Sequence, residues 1–222
     1  MRSYFVTATG TDTGKTFCTA GLLRARPGLG AIKPLLSGYG VEDIAATDSG
    51  RILAAMGQPV TPERIAAITP WRFRAPLSPD MAAAREGQAI PYDQLLEFCR
   101  GWLAAAKGGL LIEGAGGAAV PLTAARLTAD WIKDLALPAL LVSGTYLGSI
   151  SHCLTTAEFL LKRDIPIAAV LLNESETAPV SLAETGAALA RYLPCPILPV
   201  PRHAGETDFA PLVAALFPAE PG

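Results

Sequence analysis

The stretch Tyr4 to Thr16, YFVTATGTDTGKT, limits the possible fold more than any other part of this chain. It opens on an aromatic and β-branched run, Tyr4-Phe5-Val6-Thr7-Ala8, that reads as a buried strand. It turns small and polar through Thr9-Gly10-Thr11-Asp12-Thr13 and ends in Gly14-Lys15-Thr16. Phe17 to Arg24 then reads as a helix. Strand, small-residue loop, Lys-Thr and helix is the arrangement of a phosphate-binding loop. Backbone N–H groups and the helix N-terminus hold phosphate oxygens, the lysine neutralises charge, and the threonine hydroxyl sits on a magnesium ion. The strict pattern places glycine at the position of Thr9. A Gly/Thr turn carrying a surface lysine is the plainer alternative, and the flanking strand and helix argue against it.

The 222 residues suffice for one α/β domain, spanning 1–222, with a full core. Half of them are hydrophobic, which argues against disorder. A net charge of −2 argues against a broad nucleic-acid footprint. No apolar run is long enough to span a bilayer, and the N-terminus enters a strand without a signal-peptide pattern. The expectation is a cytoplasmic protein with no membrane partner. Cys18, Cys99, Cys153 and Cys195 are scattered and form no CxxC pair, so reduced thiols are expected rather than zinc or a disulfide framework.

Further along, Gly30 to Pro34 reads as a short strand with Lys33 at its end, where α/β sheets place ligands. By spacing alone Lys33 is a solvated lysine. Asp43 to Met56 has helical spacing, with Gly57 as a stop. Asp48 within it is a solvated helix residue, or a magnesium ligand if it points back toward Thr16. Gln58 to Pro79 is proline-rich and reads as a long ordered loop, with Arg72 and Arg74 flanking Phe73. Helices are expected over Met81–Glu86 and from Ile90 to about Ala106.

The second informative stretch is Gly109 to Gly117. A short apolar strand ends in a carboxylate, Glu113, and then in glycines. The acid takes the position of a Walker B residue at the carboxyl end of a central strand. The glycines allow backbone to approach a ligand. A helix over Thr128–Leu135, a strand over Pro138–Val142 and a helix from Gly148 to Lys162 follow. His152, near that helix start, reads as a structural hydrogen-bonding residue rather than an acid or base. A strand over Ile167–Leu172 ends at Asn173, and Pro179–Tyr192 reads as helical. Pro196–Pro201 reads as an edge strand, because proline is tolerated there. Phe209–Phe217 closes the chain as a helix. The alternation predicts a P-loop NTPase-like three-layer α/β fold, with a mostly parallel central sheet and helices on both faces.

Several of these pieces coincide, in order, with one family. The chain resembles dethiobiotin synthetase, the ATP-dependent enzyme of biotin synthesis. The resemblance rests on Phe5-Val6-Thr7 with Thr9 to Thr16, Lys33-Pro34-Leu35-Leu36-Ser37-Gly38, Thr47-Asp48 and Pro76-Leu77-Ser78-Pro79. It continues through Glu113-Gly114-Ala115-Gly116-Gly117, Val120-Pro121-Leu122, Ala129-Asp130-Trp131, Leu147-Gly148 with Ile150 and His152, and Asn173. It covers nearly the whole chain.

The resemblance implies a ligase that closes a ring with ATP and Mg2+. The diamine 7,8-diaminopelargonate takes up CO2 as a carbamate, whose oxygen attacks the γ-phosphate of ATP. The second amine then attacks the carbamic–phosphoric anhydride, giving dethiobiotin, ADP and phosphate. By the same resemblance Lys15 holds the β- and γ-phosphates, and Lys33 sits on the carbamate and the transferred phosphoryl. Thr11 covers the reacting end. Asp12, Thr13, Gly14 and Phe17 complete the nucleotide loop, while Thr16, Asp48 and Glu113 hold magnesium. Ser37 and the Gly116-Gly117 backbone contact the substrate. Asn173 and the backbone around Pro201 meet the adenine. It further implies a homodimer with the diamine's tail at the interface, near Leu147 and Ser151. The chain departs from the family pattern at Ala8, Asp12, Asp80 and Ser151.

Two other readings keep the fold. An amide-forming relative needs a glutamine-hydrolysing partner or domain with a Cys nucleophile, and the sequence is expected to be too short to contain such a domain. A nucleotide-switched partitioning-type ATPase carries an extra lysine early in the loop, where this chain has Thr9, Gly10 and Thr11.

Overall fold

The structure, a computed structural model, describes residues 2–40 and 42–218. Its centre is β1 (Tyr4–Ala8), whose five residues are all buried. The strand is flanked by β5 (Leu110–Glu113) on one side and β6 (Ala139–Ser143) on the other. With β2 (Gly30–Ile32), β7 (Ile167–Asn173) and β8 (Ile197–Val200) they form a six-stranded sheet in the order β2-β5-β1-β6-β7-β8. Every pairing in it is parallel. Central strands are therefore wetted on neither face, which explains their continuous apolar runs. β8 lies at the edge, where Pro199 removes no needed ladder bond.

From β1 the chain crosses through α1 (Lys15–Ala25) toward β2, and from β6 it crosses the opposite way through α7 (Ser149–Leu161) to β7. Right-handed crossovers in opposite directions put these two helices on opposite faces. α9 (Glu206–Leu216) packs on α1, its Phe209 ring against that of Phe17 at 6.0 Å. α8 (Leu182–Ala190) joins β7 to β8. Beneath the sheet, Phe5 stacks edge-on against Trp131 of α6 (Thr128–Asp134), with centroids 4.7 Å apart and both side chains buried. Gly114 must be glycine for this pair to form, since a Cβ there would lie 2.8 Å from the Phe5 ring.

Four expectations are corrected. Residues 43–46 are turns, and α2 (Asp48–Ala55) begins only where the Thr47 hydroxyl caps it by accepting from Gly50 N. The 58–79 segment is not a single loop. It holds α3 (Pro62–Ile68) and β4 (Trp71–Phe73), and β4 pairs in parallel with β3 (Leu35–Ser37). The residues that follow Pro34 thus belong to a second, two-stranded sheet. α8 starts at Leu182 rather than Pro179, set by the reciprocal Ser181–Glu184 cap. α9 starts at Glu206 rather than Phe209 and carries Pro211 within it. The expected helices around Met81 and Leu95 are α4 (Pro79–Arg85) and α5 (Tyr92–Ala105).

Candidate active site

The register of the sheet builds the site. Ile32 pairs with Ile112, so the next residues, Lys33 and Glu113, emerge side by side at the carboxyl ends of neighbouring strands. Val6 pairs with Glu113, which brings the loop after β1 to the same edge. In open α/β sheets this is where ligands bind.

Around that edge three elements converge. Lys33 Nζ lies 2.7 Å from Glu113 Oε1 and 2.9 Å from Asp48 Oδ2, and donates to Gly114 O at 3.2 Å. The Thr16 hydroxyl donates to the same Glu113 Oε1 at 2.7 Å. Asp48 reaches the cluster because it is the first residue of α2 and so stands at the end nearest the sheet edge. Burial opposes the charge on Lys33, but Glu113 and Asp48 outweigh it and hold its pKa above the ordinary lysine value. Burial likewise opposes the charge on Asp48, and Lys33 with the Thr16 hydroxyl pulls its pKa below the usual carboxylate range.

Gly14 caps α1 with φ 95°, a left-handed conformation that favours glycine. A Cβ there would also fall 2.2 Å from Asn173 Nδ2. Asn173, at the end of β7, donates to Thr13 O at 3.0 Å and so ties the loop to the neighbouring strand. Lys15 folds back over the loop and donates to Gly10 O at 3.2 Å. Burial, then the nearby Lys33, push its pKa down to about 8.

A cavity of about 780 Å³ opens over this cluster. Of the residues expected in the site, Thr11, Asp12, Gly14, Lys15, Thr16, Phe17, Lys33, Ser37, Asp48 and Gly116 line it. Glu113 lies just beneath, fully buried. Four others stand elsewhere. Thr13 is buried under the loop. Gly117 is packed against the β1 loop, where a Cβ would sit 3.1 Å from Ala8 O. Asn173 braces the loop, and Pro201 is exposed beyond the end of β8. Leu147 is exposed at 86 %, and Ser151 is exposed near the start of α7. Asp80 accepts from the hydroxyl of Ser78, a cavity residue, at 2.6 Å.

The residues suit a hard cation that takes oxygen ligands. Glu113 Oε2 is buried with no hydrogen-bond partner, while Oε1 accepts from the Thr16 hydroxyl and shares Lys33 with the Asp48 carboxylate. Among the described residues no group of three or more His, Cys, Asp or Glu forms a closed metal cage. A magnesium ion here would draw on two carboxylates and a hydroxyl, with its other positions open to phosphate oxygens and water. The Ser37 hydroxyl is also buried without a partner and faces the same cavity.

Sequence reasoning missed Arg51 and used Leu36, Leu77 and Val120 only as family letters, although all four line the cavity. The signal for Arg51 was its place three residues after Asp48, on the same side of a helix.

The sheet, the glycine-capped α1 and the Lys15–Thr16 pair define a P-loop α/β nucleotide-binding domain. A family model described as an AAA domain matches residues 2–203. The ATP-dependent dethiobiotin synthetase BioD of Acidiphilium cryptum is 46% identical over 87% of this chain and 89% of its own length. Its namesake in Methylobacterium nodulans is 44% identical, covering 92% and 95%. That of Caulobacter vibrioides is 41% identical, covering 97% and 99%. A solved ParA family ATPase from Chlorobium tepidum aligns with a TM-score of 0.49 at 14% identity, over 90% of this chain and 85% of that one. The chain belongs to the dethiobiotin synthetase family.

Proposed function

We propose that this chain is an ATP-dependent cyclo-ligase that closes the ureido ring of dethiobiotin from 7,8-diaminopelargonate and CO2. The observation that carries this reading is Lys33, buried between Asp48 and Glu113 at the floor of a cavity whose rim is the Lys15–Thr16 loop.

The reaction brings an anionic carbamate against an anionic triphosphate, so positive charge must meet them where charge develops. Lys15 sits on the β- and γ-phosphates, with loop N–H groups at the α1 N-terminus. Lys33 orients the carbamate oxygen toward the γ-phosphorus. Thr16, Asp48 and Glu113 hold Mg2+, which when bound neutralises phosphate charge. As the carbamate oxygen bonds to the γ-phosphorus, the bond to ADP breaks. The second amine then attacks the carbonyl carbon, loses its proton, and phosphate leaves. No protein nucleophile takes part, because positioning and charge neutralisation carry phosphoryl transfer.

The substrate has an aliphatic chain, and Leu36, Pro76, Leu77 and Val120 give the cavity an apolar wall for it. The Ser37 hydroxyl, buried and without a partner in the protein, supports a hydrogen bond to the substrate. A homodimer covering Leu147 and Ser151 accounts for the exposure of Leu147, and sedimentation velocity tests that assembly. Among the described residues no helix is long and apolar enough to cross a membrane.

The test supplies 13C-bicarbonate, ATP, Mg2+ and the diamine. The reading predicts one 13C in the ring carbonyl of dethiobiotin for each ADP released. Unlabelled product, or ADP without product, contradicts it.

A further inference from the structure

Three cationic side chains line the cavity: Lys15, Lys33 and Arg51. Two are already engaged. Lys33 is held by Asp48 and Glu113, and Lys15 by the Gly10 carbonyl. Arg51 is exposed, and among the described residues it makes no ion pair and no side-chain hydrogen bond.

Charge balance gives this residue weight. Lys15 and Lys33 face Asp12, Asp48 and Glu113, so without Arg51 the site is negative by one charge. Before any metal ion binds, such a site repels a polyphosphate. Arg51 brings these side chains to neutrality. Its position is specific as well. It lies three residues after Asp48 on α2, so the two side chains are neighbours on one face. Asp48 in turn meets Thr16 and Lys33. Arg51 therefore lines the same cavity from the helix whose first residue, Asp48, meets the phosphate loop.

From this placement, and resting on the nucleotide reading above, we propose that Arg51 binds the terminal phosphate oxygens of the nucleotide held by Lys15 and Thr16. A planar guanidinium matches two phosphate oxygens at once, which an ammonium does not. The diamine's carboxylate is the other anion available. It lies at the far end of an aliphatic chain from the reacting amines, whereas Arg51 lies beside the cluster that handles them.

Arg51→Gln and Arg51→Lys test the assignment by calorimetry with ADP and Mg2+, competition by AMP, and steady-state KM values for ATP and the diamine. Arg51→Gln is expected to weaken ADP binding and raise the KM for ATP by about tenfold, leaving AMP affinity and the diamine KM within about twofold. Arg51→Lys should recover only part of the loss. Thermal midpoints should match wild type, since the side chain is exposed. Unchanged ADP affinity in Arg51→Gln overturns the proposal. So does full recovery in Arg51→Lys, which would mark a distant charge effect, or a rise in the diamine KM alone, which would mark a carboxylate contact. Wild-type protein that fails to bind ADP would refute the nucleotide reading itself.

Discussion

Lys33 Nζ and Glu113 Oε1 are 2.7 Å apart at the ends of adjacent strands, with the two residues 2% and 0% exposed. The parallel pairing of Ile32 with Ile112 makes them neighbours, so the contact follows from strand register rather than from a flexible loop. Each charge is sheltered from water and depends on the other.

Removing Lys33 should therefore affect stability as well as turnover. Lys33→Met leaves Glu113 buried without its cation and is expected to lower unfolding free energy by about 3–5 kcal/mol. Lys33→Met/Glu113→Gln should regain a large part of that loss, because the orphaned charge is gone. Urea unfolding measures both. Under conditions where Lys33→Met stays folded, ADP binding should survive while turnover disappears. Normal turnover in this variant would contradict the role given to Lys33.

Lys15 makes nucleotide binding depend on pH. In the free protein burial and Lys33 lower its pKa to about 8, against 10.5 for an ordinary lysine. Its charge opposes folding below the lowered value, and that penalty fades as pH rises from about 8 toward 10.5. A bound phosphate favours the protonated amine. Without metal, ADP binding at about pH 9 should take up a proton at Lys15 that binding at about pH 6.5 does not. Affinity should fall as pH rises past 8. Calorimetry with EDTA in buffers of different ionisation enthalpy reads the proton directly. Equal proton uptake at both pH values would contradict the shift.

Gly14 combines a left-handed backbone with a close approach to Asn173. Gly14→Ala is expected to destabilise the fold by about 1–2 kcal/mol and to weaken ADP binding by at least about tenfold, because the loop must open to admit the methyl. Asn173→Ala should loosen the loop by a smaller factor, through loss of its bond to Thr13 O. Thermal melts and ADP titrations check both variants. Wild-type affinity in Gly14→Ala would contradict a loop of this geometry.

The central strands were legible because parallel strands buried on both faces read as unbroken apolar runs, as in Leu110-Leu111-Ile112. Glu113 and Lys33 were legible as strand-end residues. Their mutual contact was not, since it depends on register across two strands distant in sequence. Asp48 was ambiguous because the helical pattern ran through the turn before it, and only the Thr47 cap shows that it opens the helix. Within residues 58–79 the many prolines hid a start signal, Thr61 capping α3 with Pro62 at the first turn. β3 and β4 are too short for periodicity to show and exist because they pair with each other. Asn173 illustrates a different limit. The family pattern suggests contact with a ligand, while its hydrogen bond runs to the loop backbone.

The decisive assay follows ADP release with ATP, Mg2+ and bicarbonate, in the presence and absence of 7,8-diaminopelargonate. If Lys15 and Lys33 serve carbamate phosphorylation, ADP appears only when the diamine is present and in step with ring closure. ADP released at the same rate without the diamine would contradict that assignment and mark the chain as a nucleotide-switched ATPase.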